Sequence, residues 1–281
     1  MLIKEFKTQF FTELSELYPQ TEIQSFFNII IEYKLNLTRI DVALQPDFEI
    51  KSVDLNFLKN ALSELSKFTP IQYIIGETEF FGLKFKVNKN VLIPRPETEE
   101  LIQSIIEDSK NLGEIKILDI GTGTGCIAIS LAKNLPNATI FALDISSEAL
   151  KTAKENALLN NASVKFIEAD ILNLDELPST YSIIVSNPPY VRELEKQHMQ
   201  KNVLDNEPHL ALFVEDDNPL LFYNKIGDLA KKHLSSKGNL YFEINQYLGK
   251  ETAELISEKD FKNVQLKKDM FGEDRMLKAS I

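Results

Sequence analysis

IKILDIGTGTGCIAISLAKNLPNATIFALD, residues 115–144, decides the fold. IKILDI reads as a short buried strand, GTGTG as a tight turn, CIAISLAKNL as a helix and TIFALDI as a second strand. Two strands joined through a helix lie parallel in one sheet. The alternation continues outward. Helix SEALKTAKENALLN, strand VKFIEADI and strand YSIIVS follow, then helix PLLFYNKIGDLAKKHL, strand GNLYFEI, a further helix, and terminal strands NVQLKKD and RMLKAS. Strands alternating with helices predict an α/β fold, a mostly parallel sheet covered by helices on both faces.

Upstream of this unit the periodicity changes. Leu2, Phe6, Phe10, Leu14 and Leu17 recur every three or four residues, one face of a helix. Ile23, Phe26, Phe27, Ile30 and Ile31 make a second stripe, and Leu55, Leu58, Leu62, Leu65 and Phe68 a third, with Asp54 as its expected N-cap. Residues 1–75 therefore read as a small helical bundle. GETEFFGLKFKVNKNVLI, residues 76–93, alternates apolar and polar positions and reads as a β-hairpin linker over residues 76–95. Pro94 and Pro96 bracket Arg95, and PETEEL opens a new helix with acids in its first turn, so the α/β domain is placed at residues 96–281.

The chain carries 42 acidic against 31 basic side chains, a net charge of −11. Proteins that bind nucleic acid usually present a basic face, and no Lys/Arg-rich run is present, so the expectation is a protein or small-molecule partner and no direct nucleic acid. The single cysteine, Cys126, permits no internal disulfide and suits a reducing cytoplasm. His198, His209 and His233 are scattered without metal-ligand spacing, and no metal is expected. The N-terminal MLIKEFKTQFFTELSELY lacks the apolar core of a signal peptide. No apolar run approaches the ~18 residues that span a bilayer. The expectation is a cytoplasmic monomer with no membrane association.

Gly121-Thr122-Gly123-Thr124-Gly125 lies between a strand and a helix, where glycines let the backbone turn sharply and approach a ligand. Asp144 ends the second strand 23 residues after Gly121, where an acid accepts hydrogen bonds from ribose hydroxyls. S-adenosylmethionine and NAD both carry a ribose. The spacing G-x-G-x-G, rather than G-x-G-x-x-G, leans away from a pyrophosphate site and toward S-adenosylmethionine.

Asn187-Pro188-Pro189-Tyr190 follows strand YSIIVS, at a carboxyl end that faces the same crevice. The residue before a proline is held extended, and each proline fixes φ and lacks an N–H. The turn is rigid before any substrate arrives. The Asn side chain supplies one acceptor and a donor pair, and the neighbouring carbonyls are free to accept a substrate N–H. Tyr190 offers an aromatic face to a planar group. An amide or aromatic-amine nitrogen is a poor nucleophile because its lone pair is delocalised. Two acceptors gripping its hydrogens concentrate electron density on nitrogen and aim it, the kind of placement that supplies much of a bimolecular barrier. The reading is methyl transfer to a planar nitrogen, with glutamine amide and adenine amine both open at this point.

Taken with TPIQYIIGETEFFGLKFKVNKNVLIPRPETEEL, LDIGTGTGCIAISLA, LDISSEALKTAKENA, VSNPPYV, NEPHLALF and FGEDRM, the chain resembles the release factor glutamine methyltransferases, the PrmC or HemK family, over nearly its whole length. NPPY alone is shared with adenine-N6 methyltransferases; the segment from Gln72 to Glu99 is much narrower. The resemblance implies a Rossmann-like S-adenosylmethionine-dependent methyltransferase fold with a seven-stranded sheet, plus the N-terminal helical domain that helps dock the substrate. It implies methylation of the side-chain amide nitrogen, N5, of the glutamine in the Gly-Gly-Gln motif of class I peptide chain release factors. By the same resemblance, Gly121, Thr122, Gly123, Thr124 and Gly125 line the methionine part of the cofactor and Asp144 holds the ribose. Asp170 approaches the adenine amine with Ile171 beside the ring, and Asn187 borders the cofactor. Asn187 and the Pro188 carbonyl grip the substrate amide, and Pro189 and Tyr190 complete the pocket as catalytic and substrate-binding residues.

The chain departs from the family pattern twice. An aromatic residue often stands where Ile171 does, so adenine stacking becomes plain apolar contact. The strand GNLYFEI is often followed by a glycine and later a glutamine; here the run is Asn245-Gln246-Tyr247-Leu248-Gly249, and Gln246 or Asn245 is the candidate substitute. Cys126 reads as a small core residue and Arg95 as a structural orienter of the linker. Glu207 reads equally as a turn cap or as a border of the substrate mouth. Three other readings compete: an adenine-N6 nucleic-acid methyltransferase, which the acidic balance disfavours; a non-catalytic cofactor-fold module, which the intact GTGTG, Asp144 and NPPY set disfavours; and a nicotinamide oxidoreductase, which leaves NPPY unexplained.

Overall fold

The structure, a computed structural model, describes residues 1–281 with the exception of the His198 side chain. Contacts divide it into two units, residues 1–76 with 200–206, and residues 77–199 with 207–281.

The first unit holds α1 (Ile3–Leu14), α2 (Gln20–Leu35), α3 (Arg39–Leu44), α4 (Ser52–Leu65) and α5 (Ile71–Ile75). The stripes seen in the sequence become its core. Phe6, Phe10, Phe27, Ile30, Ile31, Leu58 and Leu65 are fully buried, with Phe10 and Phe27 meeting edge to face at 5.6 Å. Asp54 is not the cap of α4. The helix opens earlier, at Ser52 after Lys51, so Asp54 falls in its first turn, where a negative charge still complements the helix dipole.

The second unit opens with the hairpin of β1 (Glu77–Phe80) and β2 (Leu83–Lys86). Phe81 and Gly82 both take positive φ, 52° and 70°, the two-residue turn whose twist matches paired strands. The hairpin read as a linker packs within this unit: both backbone groups of Lys86 bond to the side chain of Asn156. Next come α6 (Pro96–Ser109), β3 (Ile115–Ile120), α7 (Cys126–Asn134), β4 (Ala138–Asp144), α8 (Ser147–Leu159), β5 (Val164–Glu168), β6 (Tyr181–Ser186) and β7 (Val191–Arg192). The short helix α9 (Lys201–Leu204) belongs to the first unit, and the second continues through β8 (Phe213–Val214), α10 (Leu221–His233), β9 (Leu234–Glu243), α11 (Gly249–Glu258), β10 (Lys262–Lys268) and β11 (Asp274–Ser280).

Seven strands form one sheet in the order β10-β11-β9-β6-β3-β4-β5. Only β11 runs against the rest. The central strands are apolar on both faces, as a sheet covered on both sides requires. One core cluster around Tyr181, Tyr223 and Phe242 fills one face, and another around Ile102, Ile129 and Ile140 fills the other. The chain starts at β3, runs outward through β4 and β5, then returns to β6 on β3's other side. That reversal opens a crevice at the carboxyl ends of β3 and β6, where α/β sheets place their ligands.

Candidate active site

A cavity of about 470 Å³ occupies that crevice, within the ~300–1,000 Å³ typical of small-molecule sites. Gly121, Gly123, Asp144, Asp170, Ile171, Asn187, Pro188 and Pro189 line it.

The glycine turn forms one wall. Gly121, Gly123 and Gly125 all have positive φ, at 75°, 54° and 81°. Gly121 and Thr122 donate their N–H groups to Leu143 O, which ties the turn to the end of β4. A Cβ on Gly123 would meet nothing within 4 Å, because it would stand in the cavity. Thr122, Thr124 and Gly125 do not line it. The Thr122 hydroxyl turns inward to donate to Asp119 at 2.6 Å. Thr124 is buried, and its carbonyl accepts from Asn156. Gly125 opens α7 so close to Ile129 and Ala153 that a Cβ would stand 2.9 Å from Ile129 Cδ1. These three residues shape the turn, and the two glycines face the space.

Asp144 is fixed by two backbone donors: Gly123 N–H to Oδ2 at 2.8 Å and Ser146 N–H to Oδ1 at 2.9 Å. Each oxygen keeps acceptor capacity. Burial pushes its carboxyl above the ordinary value, and those N–H bonds pull it back. Asp170 caps the turn of 171–173, accepting from Leu172 N and Asn173 Nδ2, while Ile171 is buried beside it.

Asn187 is half-buried and Pro188 buried at the end of β6. The Ser186 hydroxyl donates to Ile120 O at 2.7 Å and locks β6 to β3 just before the turn. Tyr190 does not line the cavity. Its ring packs on the core, its hydroxyl donates to Glu243 Oε1 at 3.0 Å, and its backbone N–H donates to Leu212 O. Asn187 Nδ2 lies 3.5 Å from Thr98 Oγ1, and that hydroxyl donates to Glu243 Oε2 at 2.6 Å. Glu243, at the end of β9, is 1% exposed. Burial pushes its carboxyl up, countered by the Thr98 and Tyr190 hydroxyls and the charge of Arg275. Neither Thr98 nor Glu243 was singled out in the sequence; an acid closing an otherwise apolar strand was the available signal.

Residues 98–211 match the model of the methyltransferase small domain, and residues 7–76 that of the PrmC N-terminal domain. The chain is 56% identical to the release factor glutamine methyltransferase of Flavobacterium psychrophilum, over 100% of this chain and 99% of that protein. It is 44% identical to that of Bacteroides thetaiotaomicron, over 95% and 96%. The chain belongs to the release factor glutamine methyltransferases. Among solved structures, a methyltransferase from Pyrococcus furiosus superposes with a TM-score of 0.52 at 19% identity, covering 72% of this chain and 90% of that one, a likeness of fold.

As a release factor glutamine methyltransferase, the chain is an S-adenosylmethionine-dependent enzyme. The cavity fits that cofactor: open space beside two glycines, a fixed carboxylate with acceptor capacity left for hydroxyls, and the apolar side chains of Leu143, Ile145 and Ile171.

The remaining sequence candidates are structural. Burial pushes the Cys126 thiol up to about 12, in keeping with a packing residue. Glu207 accepts from Ile93 N and from Arg95 at 2.7 Å, pinning the segment before Pro208, Leu210 and Ala211, which themselves line the cavity. The Asn245-Gln246 departure acquires two roles. Asn245 Nδ2 donates to Tyr190 O at 2.9 Å, and Gln246 Oε1 accepts from Arg275. Of the two, Asn245 is the one that touches the NPPY turn.

Proposed function

We propose that this chain transfers the methyl group of S-adenosylmethionine to N5 of the glutamine in the Gly-Gly-Gln motif of class I peptide chain release factors, with Asn187 and the Pro188 carbonyl holding the amide. Full-length 56% identity to a named release factor glutamine methyltransferase carries the substrate class; the rigid turn beside the cavity supports the residue roles. S-adenosylmethionine, when bound, supplies an electrophilic methyl carbon on sulfonium sulfur. Asp144 would accept from the ribose hydroxyls, Gly121 and Gly123 would border the methionine part, and Asp170 with Ile171 would contact the adenine.

The chain's own contribution is positioning. Asn187 Oδ1 and the Pro188 carbonyl accept the two amide hydrogens, which turns the nitrogen lone pair toward the donor and raises its electron density. Pro188 and Pro189 hold those acceptors in place before substrate enters. Tyr190 acts from behind the turn through Glu243. The methylated nitrogen is strongly acidic, so its surplus proton leaves to solvent without a dedicated base.

The net charge of −11 supports a protein rather than a nucleic-acid substrate. Among the described residues no helix is long and apolar enough to cross a membrane. The lone cysteine supports a cytoplasmic location. The N-terminal helical unit serves as a docking element for the release factor.

The test is label transfer from radiolabelled S-adenosylmethionine to a purified release factor, to its Gln→Ala variant, and to DNA. Label in the wild-type factor alone is expected. Label in DNA, or equal label in the Gln→Ala factor, overturns the reading.

A further inference from the structure

Thr98 and Glu243 lie behind the NPPY turn, 2% and 1% exposed, and neither lines the cavity. We propose that this pair is a positioning device that sets the direction of a hydrogen-bond chain and so locks the Asn187 amide with Oδ1 as the atom left to accept from the substrate nitrogen. The proposal rests on the reading that Asn187 grips the substrate amide.

A threonine hydroxyl has one proton. Here it goes to Glu243 Oε2 at 2.6 Å, the short distance of a bond to a charged acceptor. Thr98 Oγ1 can then only accept. The Asn187 atom that faces it must be the donor, Nδ2, although the two ends of an amide are otherwise near look-alikes. Oδ1 is left on a residue that lines the cavity, with no hydrogen bond of its own among the described residues. A flipped Asn187 would present N–H to the substrate's own N–H and repel it.

Glu243 also takes the Tyr190 hydroxyl on its other oxygen, and its backbone carbonyl takes the Tyr223 hydroxyl. One carboxylate therefore reaches both ends of the Asn187–Tyr190 turn. Arg275, Glu97, the Cys126 thiol and the two tyrosines are the charged and titratable groups facing it. Of these, Arg275 favours the carboxylate, and it is itself held by Asp269 and Gln246. Burying a carboxylate is costly, and apolar packing of equal volume is often as stable. A charge kept at this place fits preorganisation of an adjacent reacting group.

The experiment uses the full-length enzyme and a purified release factor. It measures kcat, KM for the factor and Kd for S-adenosylhomocysteine in T98V, T98S, E243Q and N187A. T98V removes the hydroxyl at constant volume. E243Q keeps the shape but can donate to Thr98, which frees the Thr98 proton to point at Asn187 and inverts the chain. In both, kcat is expected to fall about ten- to hundredfold, less than the ~10²–10³ lost with a direct contact. KM and Kd should stay within about twofold, and T98S should recover most of the loss.

If T98V and E243Q keep kcat within about twofold while N187A loses it, the positioning role is overturned and the Asn187 reading stands. If N187A also keeps its activity, the Asn187 reading itself fails. Parallel loss of cofactor affinity in T98V and E243Q, or failure of both to fold, makes the pair a structural element and overturns the proposal. Should T98V alone fail to fold, E243Q decides.

Discussion

Replacing Asn156 should unfasten the hairpin and the glycine turn together. Asn156 is fully buried on α8. Its Oδ1 accepts from Lys86 N at 2.6 Å, and its Nδ2 donates to Lys86 O at 3.0 Å and to Thr124 O at 2.9 Å. Asn156→Ala leaves three backbone groups without these partners. A buried group left unsatisfied costs about 1–3 kcal/mol. The Thr124 bond is buried and bears the full cost, while the two Lys86 bonds are partly reachable by water and bear less. The sum is about 3–5 kcal/mol, a large share of the ~5–15 kcal/mol that holds a typical domain. Because Thr124 belongs to the glycine turn, affinity for S-adenosylhomocysteine should fall as well.

Asn156→Asp tests the hydrogen-bond account against simple volume loss. The carboxylate keeps the shape and still accepts from Lys86 N, but both former donor contacts become oxygen facing carbonyl oxygen. At pH 8 it should be no more stable than Asn156→Ala, despite leaving no cavity. Its carboxyl would be pushed above the unfolded value, so its penalty applies above that pH range and shrinks as acidification restores a donor. Urea titration followed by far-ultraviolet circular dichroism at pH 8 and pH 5.5 measures both. A loss under 1 kcal/mol for Asn156→Ala, or an Asn156→Asp variant more stable than it at pH 8, refutes the reasoning.

Gly125→Ala should destabilise by about 2–3 kcal/mol in thermal melts, combining the ~1–2 kcal/mol of a left-handed residue with the 2.9 Å clash on Ile129 Cδ1. Gly123→Ala has the same backbone cost without a clash, so it should lose about 1–2 kcal/mol and instead weaken cofactor binding, read by calorimetry. Asp144→Asn places an N–H₂ against the Gly123 or Ser146 N–H and should raise the cofactor Kd about tenfold or more, a shift of at least ~1.4 kcal/mol. Burial pushes the Asp119 carboxyl up to about 7. Between its unfolded range near 4 and pH 7 the folded state holds a proton that the unfolded state has lost, so stability falls as pH rises through that window. The slope should be at most about 1.4 kcal/mol per pH unit, seen as a difference between wild type and Asp119→Asn in urea titrations at stepped pH.

The sheet, its helices and the carboxyl-end location of the site were legible because hydrophobic period and glycine placement are local properties. Ile115–Asp144 needed only its own residues to declare a strand, a turn and a second strand. Side-chain direction within the turn was not local. GTGTG suggests that all five residues face the ligand, but Thr122 turns inward to Asp119 and Thr124 is buried, because the same turn must also close onto the core. Tyr190 shows the same effect: an aromatic beside a pocket suggests stacking, and in the fold a buried acid also takes its hydroxyl. Asn156 looked like an ordinary polar helix residue because its partners sit 70 and 32 positions away. Glu243 is the strongest case, since Thr98 is 145 residues from it and Tyr190 is 53. They meet because β9 pairs with β6 and α6 packs beside β9, so the sheet order delivers the acid behind NPPY. Motif residues that touch ligands are contiguous because a turn is contiguous. The residues that orient them are dispersed because orientation needs support from behind, and the elements behind a parallel strand come from distant parts of the chain.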